Sequence, residues 1–184
     1  MQQNLNEIGS AMLRFVAATC VATGFTATGW QSIGPDEPIF AIVVQALLMA
    51  WAAFAITERF PPWTSKARSI TRREVALLRF TGVAFFGRLL DVIGWNGMIA
   101  RERGYETTRK GMLVLEEHTR RSELAHQLCA VAGFGLAALA LLSNALVGAA
   151  WLAASTLIFQ LYPMLLQRLV RARTQQVTTG RLAT

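Results

Sequence analysis

Residues 124–166 read LAHQLCAVAGFGLAALALLSNALVGAAWLAASTLIFQLYPMLL: two apolar runs, Leu124–Leu142 and Leu146–Leu166, joined only by Ser143-Asn144-Ala145. A hydrocarbon core about 30 Å thick takes about 20 residues of helix to cross, and each run has that length. The short uncharged joint makes the pair a tight helical hairpin. Upstream, Phe15–Ile33 and Ile39–Thr57 repeat the arrangement around Gly34-Pro35-Asp36-Glu37-Pro38, a turn composition without positive charge. The reading is an all-α integral membrane protein, one domain over residues 1–184, with four transmembrane helices as two hairpins. Between the hairpins lies a cytoplasmic or interfacial helical segment, residues 58–123, and residues 167–184 form a cytoplasmic tail.

Composition agrees. The chain is 53% hydrophobic and only 16% charged, where soluble domains carry about a quarter charged residues. The net charge of +7 does not point to nucleic acid, because the arginines flank runs too long for a soluble helix. A basic fringe on membrane helices reflects topology and anionic headgroups. Of the 18 Lys and Arg, Arg14 precedes the first run, thirteen lie between Arg59 and Arg121, and Arg168, Arg171, Arg173 and Arg181 follow the last. Neither turn carries one. The positive-inside rule then places both termini and the central segment in the cytoplasm, with the chain in the cytoplasmic (inner) membrane. Met1–Ser10 is polar without Lys or Arg and the first apolar run is followed by another, which argues against a cleaved signal peptide. Cys20 and Cys129 sit inside apolar runs as small hydrophobes, and no Cys/His spacing suits a metal.

In the central segment, Thr71-Arg72-Arg73-Glu74 is a capping-box pattern that starts a helix. The apolar stretch Val75–Ile99 that follows is interrupted by Arg79, Arg88 and Asp91. Spanning here would put Arg88 near mid-bilayer at a cost of about 3 kcal/mol. One or two amphipathic helices lying on, or dipping into, the cytoplasmic face fit better. Phe60-Pro61-Pro62-Trp63 is the break leading into them, and Trp30, Trp63 and Trp95 read as interfacial anchors.

Chemistry concentrates in Glu116-Glu117-His118-Thr119-Arg120-Arg121-Ser122-Glu123-Leu124-Ala125-His126. On a helix, Glu116, Thr119, Glu123 and His126 share a face. Glu123 and His126 stand where the third spanning helix enters the membrane, and ionisable groups there are costly unless they face a cavity or a partner. A histidine beside an orienting carboxylate suits a general base. Counting outward from Asn144 brings His126 level with about Pro163 and Glu123 with about Leu166. Tyr162, Gln167, Arg168 and Arg171 therefore gather at the same depth. Pro163 would kink its helix, and the arginines could hold phosphate groups of a donor. Simpler readings stand beside these: Arg168, Arg171 and Arg173 as a stop-transfer fringe, Glu123 paired with Arg120 or Arg168, and His126 as a satisfied polar residue between helices. Gly133, Ala137, Ala140, Gly148, Ala149 and Ala153 read as close-packing positions. No nucleophile elbow, P-loop, dinucleotide fingerprint or metalloprotease motif is present.

Thr119-Arg120-Arg121-Ser122-Glu123-Leu124-Ala125-His126, a hydrophobic hairpin, then Tyr162-Pro163 and Gln167-Arg168 with Arg171 and Arg173 resemble the glycosyl-4,4′-diaponeurosporenoate acyltransferase family. That family's pattern reads T-x-R-G-E-L-x-H and then N-x-Y-P-x-x-x-Q-R-Y-N-R-x-R, with an upstream Arg and a Trp-Lys pair that correspond to Arg88 and Trp95-Asn96. Its members are small bacterial membrane proteins that attach a fatty acyl chain to a glycosylated carotenoid. The resemblance runs from about Arg88 to Arg173. Ser122 replaces a glycine, Asn96 a lysine, Leu169-Val170 a Tyr-Asn pair, and Gln160 stands nearest the asparagine. Glu123, His126, Tyr162, Gln167 and Arg168 remain. The resemblance implies a shared scaffold; a carotenoid substrate does not follow from it.

Together these readings make the chain a membrane acyltransferase-like protein acting on a lipid or glycosylated-lipid hydroxyl at the cytoplasmic leaflet. His126 would take the hydroxyl proton with Glu123 orienting it. Arg168 and Arg171 would bind the phosphates of an acyl-CoA-type donor, a substrate rather than a resident cofactor. Tyr162 and Gln167 would line the pocket, with Arg88 and Trp95 covering it. Membrane lipids are then partners and nucleic acid is not. The alternative is a non-catalytic accessory subunit or scaffold, with a membrane-protein partner or a second copy of the chain. An enzyme needs a cavity reaching His126, whereas a scaffold can pack it shut.

Overall fold

The computed structural model describes residues 2–56, 70–102 and 109–179. The Phe60–Trp63 break, Thr57, Arg59 and Arg181 lie outside the described residues. The order is α1 (Gln2–Ser32), α2 (Pro38–Ala55), α3 (Arg72–Phe80), α4 (Val83–Val92), α5 (Trp95–Glu102), α6 (Arg109–Leu142), α7 (Leu146–Thr156), a wide π turn (Leu157–Leu161) and α8 (Tyr162–Thr179). Among the described residues no strand occurs. Gly9–Ser32, Pro38–Ala55, Val114–Leu142 and Leu146–Gln176 are long and apolar enough to cross a membrane. The outward side chains of these helices are apolar: Leu13, Val21, Phe25, Val131, Leu142 and Val147 are all exposed. Four such helices in an all-helical chain are what the sequence predicts.

The helices overrun the apolar runs. α6 starts at Arg109 rather than Leu124, and its polar part is held in register by Glu116–Arg120 and Glu117–Arg121, each at 2.5 Å one turn apart. The apolar stretch after Glu74 forms three short helices, of 9, 10 and 8 residues. It breaks at Gly82 and Gly94, whose φ of 75° and 76° only glycine adopts at low cost. None of the three approaches the length needed to span.

The chain divides into two compact units. The first comprises residues 1–61 and 125–161, the second residues 62–124 and 162–184. In the first unit α1 packs along α2, and α2 against α7. Gly29 admits the Phe40 ring, which also meets Trp30 edge-on at 5.8 Å. Phe40, Ala41 and Val44 of α2 form the core with Ala137 and Ala140 of α6 and Leu152 of α7. Gly133 lies so close to Thr156 that a Cβ there would strike its hydroxyl. The two turns are locked together. Ala145 has no side-chain cap for α7, and Asp36 Oδ1 supplies one by accepting from Gly148 N–H at 2.7 Å. Gly148 in turn has no room for a Cβ against the Pro35 carbonyl.

In the second unit Thr71 Oγ1 caps α3 by accepting from Glu74 N–H at 3.2 Å. Ile70 and Val75 pack on Ala172, while Leu78 and Val83 pack on Leu169, Leu166 and Tyr162. The α8 face that receives α3 and α4 is thus built from Tyr162, Leu166, Leu169 and Ala172, at helical spacing. Gly87 lets the Leu166 side chain approach α4.

Candidate functional site

Each unit buries one polar constellation. In the second unit, Glu123 on α6 is 0% exposed and ion-paired with two arginines of α8, of which Arg168 also donates a hydrogen bond to it. Arg168 Nη1 lies 2.6 Å from its Oε1 and Arg171 Nη1 2.6 Å from its Oε2. Arg168 Nε also reaches Glu74 on α3. The result is an alternating row, Glu74–Arg168–Glu123–Arg171, with two charges of each sign. Such pairing is what makes a fully buried Arg171 and Glu123 tolerable, since either alone would be an uncompensated charge in a low-dielectric interior. Arg168 keeps 18% of its side chain exposed and Glu74 28%, so the row is open at that end.

In the first unit, His126 is 8% exposed and its Nδ1 lies 3.0 Å from Gln160 Oε1. Gln160 Nε2 donates to Gln45 Oε1 at 2.8 Å, and Gln45 Nε2 donates to the Thr156 and Ser155 hydroxyls at 3.0 and 3.2 Å. Gln45, Thr156 and Gln160 are all buried. Gln160 sits in the π turn, and the turn has a local cause. Pro163 offers no N–H to the Phe159 carbonyl and its ring crowds that carbonyl, so the backbone opens by one residue. The kink predicted at Pro163 is therefore a widened turn just before it.

The partner of His126 Nδ1 is thus the oxygen of an uncharged amide, while both oxygens of Glu123 are paired with arginines. Of the other candidates, Tyr162 stacks on Phe86 at 5.4 Å and joins the α3–α4 packing face. Gln167 is half-buried on α8, and Arg88 and Trp95 are exposed on α4 and α5. Glu74 and Gln45 escape a reading of the sequence. Glu74 looks like a cap residue, and a glutamine in an apolar run has no local partner to betray it.

The first unit also holds a cavity of about 900 Å³. Thr19, Thr23 and Trp30 of α1 line one side, Ala132, Gly135 and Leu139 of α6 the other, with Leu48 and Trp51 of α2 between. Trp51 Nε1 donates to Thr19 Oγ1 at 3.0 Å and the Thr19 hydroxyl donates to Phe15 O, so the polar groups at that end are already bonded. His126 is not among the lining residues; Ala132, the first that is, follows it by six positions on α6.

Residues 63–179 match the glycosyl-4,4′-diaponeurosporenoate acyltransferase family. The chain belongs to that family. The match takes in the whole second unit as described and, in the first, the His126–Gln160 pair. It makes the resemblance carried by Glu123, His126, Tyr162 and Gln167-Arg168 one of membership in an acyltransferase family of membrane proteins. No curated protein and no solved structure matches the chain.

Proposed function

We propose that this acyltransferase-family protein transfers a fatty acyl chain to the hydroxyl of a lipid or glycosylated lipid at the cytoplasmic leaflet, with His126 as general base. The observation that carries the reading is a buried histidine held through one ring nitrogen by an uncharged chain, inside a membrane span of an acyltransferase-family member. Ionisable groups at such depth are retained for function. His126 takes the acceptor's hydroxyl proton as the oxygen attacks the acyl carbonyl. The carbon–sulfur bond of a thioester donor breaks, and the leaving thiolate takes that proton. In the second unit, Arg168 presents its open edge to donor phosphates, while Arg171 holds Glu123 in place.

The cavity of the first unit does not reach His126, so this reading requires the first unit to open toward the histidine for the acceptor to enter; the cavity itself suits the hydrocarbon tail. Ala132 to Ser143 at 1.5 Å per residue spans about 17 Å, close to the roughly 15 Å of one leaflet's hydrocarbon. A volume of about 900 Å³ over that length leaves a mean width near 8 Å. That is ample for an alkyl chain. On this reading the exposed Phe80, Phe85, Val92 and Trp95 seat α3–α5 in the membrane interface.

The test is a comparison of lipid extracts from cells carrying the wild type, a deletion, or His126→Ala at matched membrane abundance. Loss of the same acylated lipid in both mutants supports the reading and names the acceptor class. A His126→Ala strain with the wild-type lipid profile overturns it.

A further inference from the structure

The polarity of the chain behind His126 is set at its far end. The Leu152 carbonyl can only accept. Thr156 Oγ1 donates to it at 2.7 Å and Ser155 Oγ at 3.1 Å, so each hydroxyl directs its one proton there. Both hydroxyl oxygens then meet Gln45 as acceptors, and the group facing them must be the Gln45 amide nitrogen. That orients Gln45 Oε1 toward Gln160, whose Nε2 donates to it. Gln160 Oε1 is left facing His126 Nδ1 at 3.0 Å. An amide oxygen cannot donate, so Nδ1 must carry the hydrogen.

We propose that Gln45 and Gln160 are positioning residues that hold His126 as its Nδ1–H tautomer, leaving the Nε2 lone pair as the atom that takes a proton. The inference rests on the reading of His126 as the base, and it adds which nitrogen acts and what selects it. Running the chain the other way would turn both amides over and withdraw both hydroxyls from the Leu152 carbonyl. Gln45, Thr156 and Gln160 are buried, so water is not at hand to repair those losses. An amide orienter differs from a carboxylate in one functional respect. It fixes the ring without placing a second ionisable group in the membrane, which suits a site that must stay neutral until substrate arrives.

The test uses ring ¹⁵N NMR of the full-length protein in lipid bilayers. The chain has two histidines, so His118→Gln leaves His126 as the only signal. The expected spectrum at neutral pH has a protonated Nδ1 and an unprotonated Nε2. Gln160→Leu, and separately Gln45→Leu, should bring in the Nε2–H form. A wild-type ring that is Nε2–H, or an even mixture, overturns the proposal, as does a Gln160→Leu spectrum identical to wild type. The wild-type spectrum decides the tautomer even where a variant does not fold. The catalytic reading fails separately: a ring fixed as Nδ1–H in a protein whose His126→Ala variant still makes the lipid would remove the base and leave the tautomer standing.

Discussion

Glu123 is the residue whose surroundings most constrain what it does. Both of its oxygens are ion-paired with arginines and none of it is exposed. Removing one member of a buried ion pair typically costs about 3–5 kcal/mol, because the partner is left charged and unsolvated. Glu123→Ala and Arg171→Ala should each lower stability by that order. The double variant should cost clearly less than the sum, as measured by unfolding in detergent micelles. Additive losses would mean the two do not act as a pair. Of this arrangement the sequence discloses one half. The sequence offers Arg120 or Arg168 as the partner of Glu123, and Arg168, 45 positions away, is one; Arg171, 48 positions away, reads only as a fringe or phosphate ligand. Gln45 and Gln160 are silent in one dimension, since only folding brings them within hydrogen-bond reach. Nothing stands within 4 Å of a Cβ at Gly135, which lines the cavity. Gly135→Leu should therefore fold normally and shift the product toward shorter acyl chains in mass spectra. An unchanged chain-length profile would remove the tail from the cavity.

At the scale of elements, the two turns of the first unit act as one joint. Asp36→Ala removes the only side-chain cap described for α7 and should cost about 1 kcal/mol. Gly148→Ala drives a methyl group into the Pro35 backbone, which has little freedom to retreat, and should cost about 1–3 kcal/mol. Thermal unfolding of the two variants in detergent checks both. Gly34-Pro35-Asp36-Glu37-Pro38 announces a turn in the sequence through its composition, yet nothing local says that its aspartate caps a helix 110 residues later. The short helices α3–α5 show the opposite case. Thr71 and Glu74 mark the start of α3, and Gly82 and Gly94 mark its successors, but the interrupted hydropathy of Val75–Ile99 blurs three elements into one. Glu74 also fills half of the capping-box expectation: its N–H is bonded to Thr71, while its carboxylate goes to Arg168.

For the whole molecule, the lengths of the apolar runs made four spanning-capable helices legible, because the bilayer imposes a length that few soluble helices meet. Orientation rests on charge. All 18 basic residues fall outside the two turns, from which the positive-inside rule predicts residues 34–38 and 143–145 to face away from the cytoplasm and Thr71 to face it. With Cys20 and Cys129 replaced by alanine, a cysteine at Glu37 or Asn144 should react with a membrane-impermeant maleimide in intact cells. A cysteine at Arg73 should react only after permeabilisation. Labelling of Arg73→Cys in intact cells would invert the topology and remove the cytoplasmic leaflet as the site of reaction.

Acyl transfer by His126 can be followed with purified full-length protein in liposomes. The liposomes carry the lipid extract of deletion cells, and an isotope-labelled acyl-CoA is added outside. Label should enter one lipid class with the wild-type protein, and His126→Ala should slow this at least about 100-fold, the usual loss of a general base. Transfer by His126→Ala at the wild-type rate, or none by a folded wild-type protein, would contradict acyl transfer by His126.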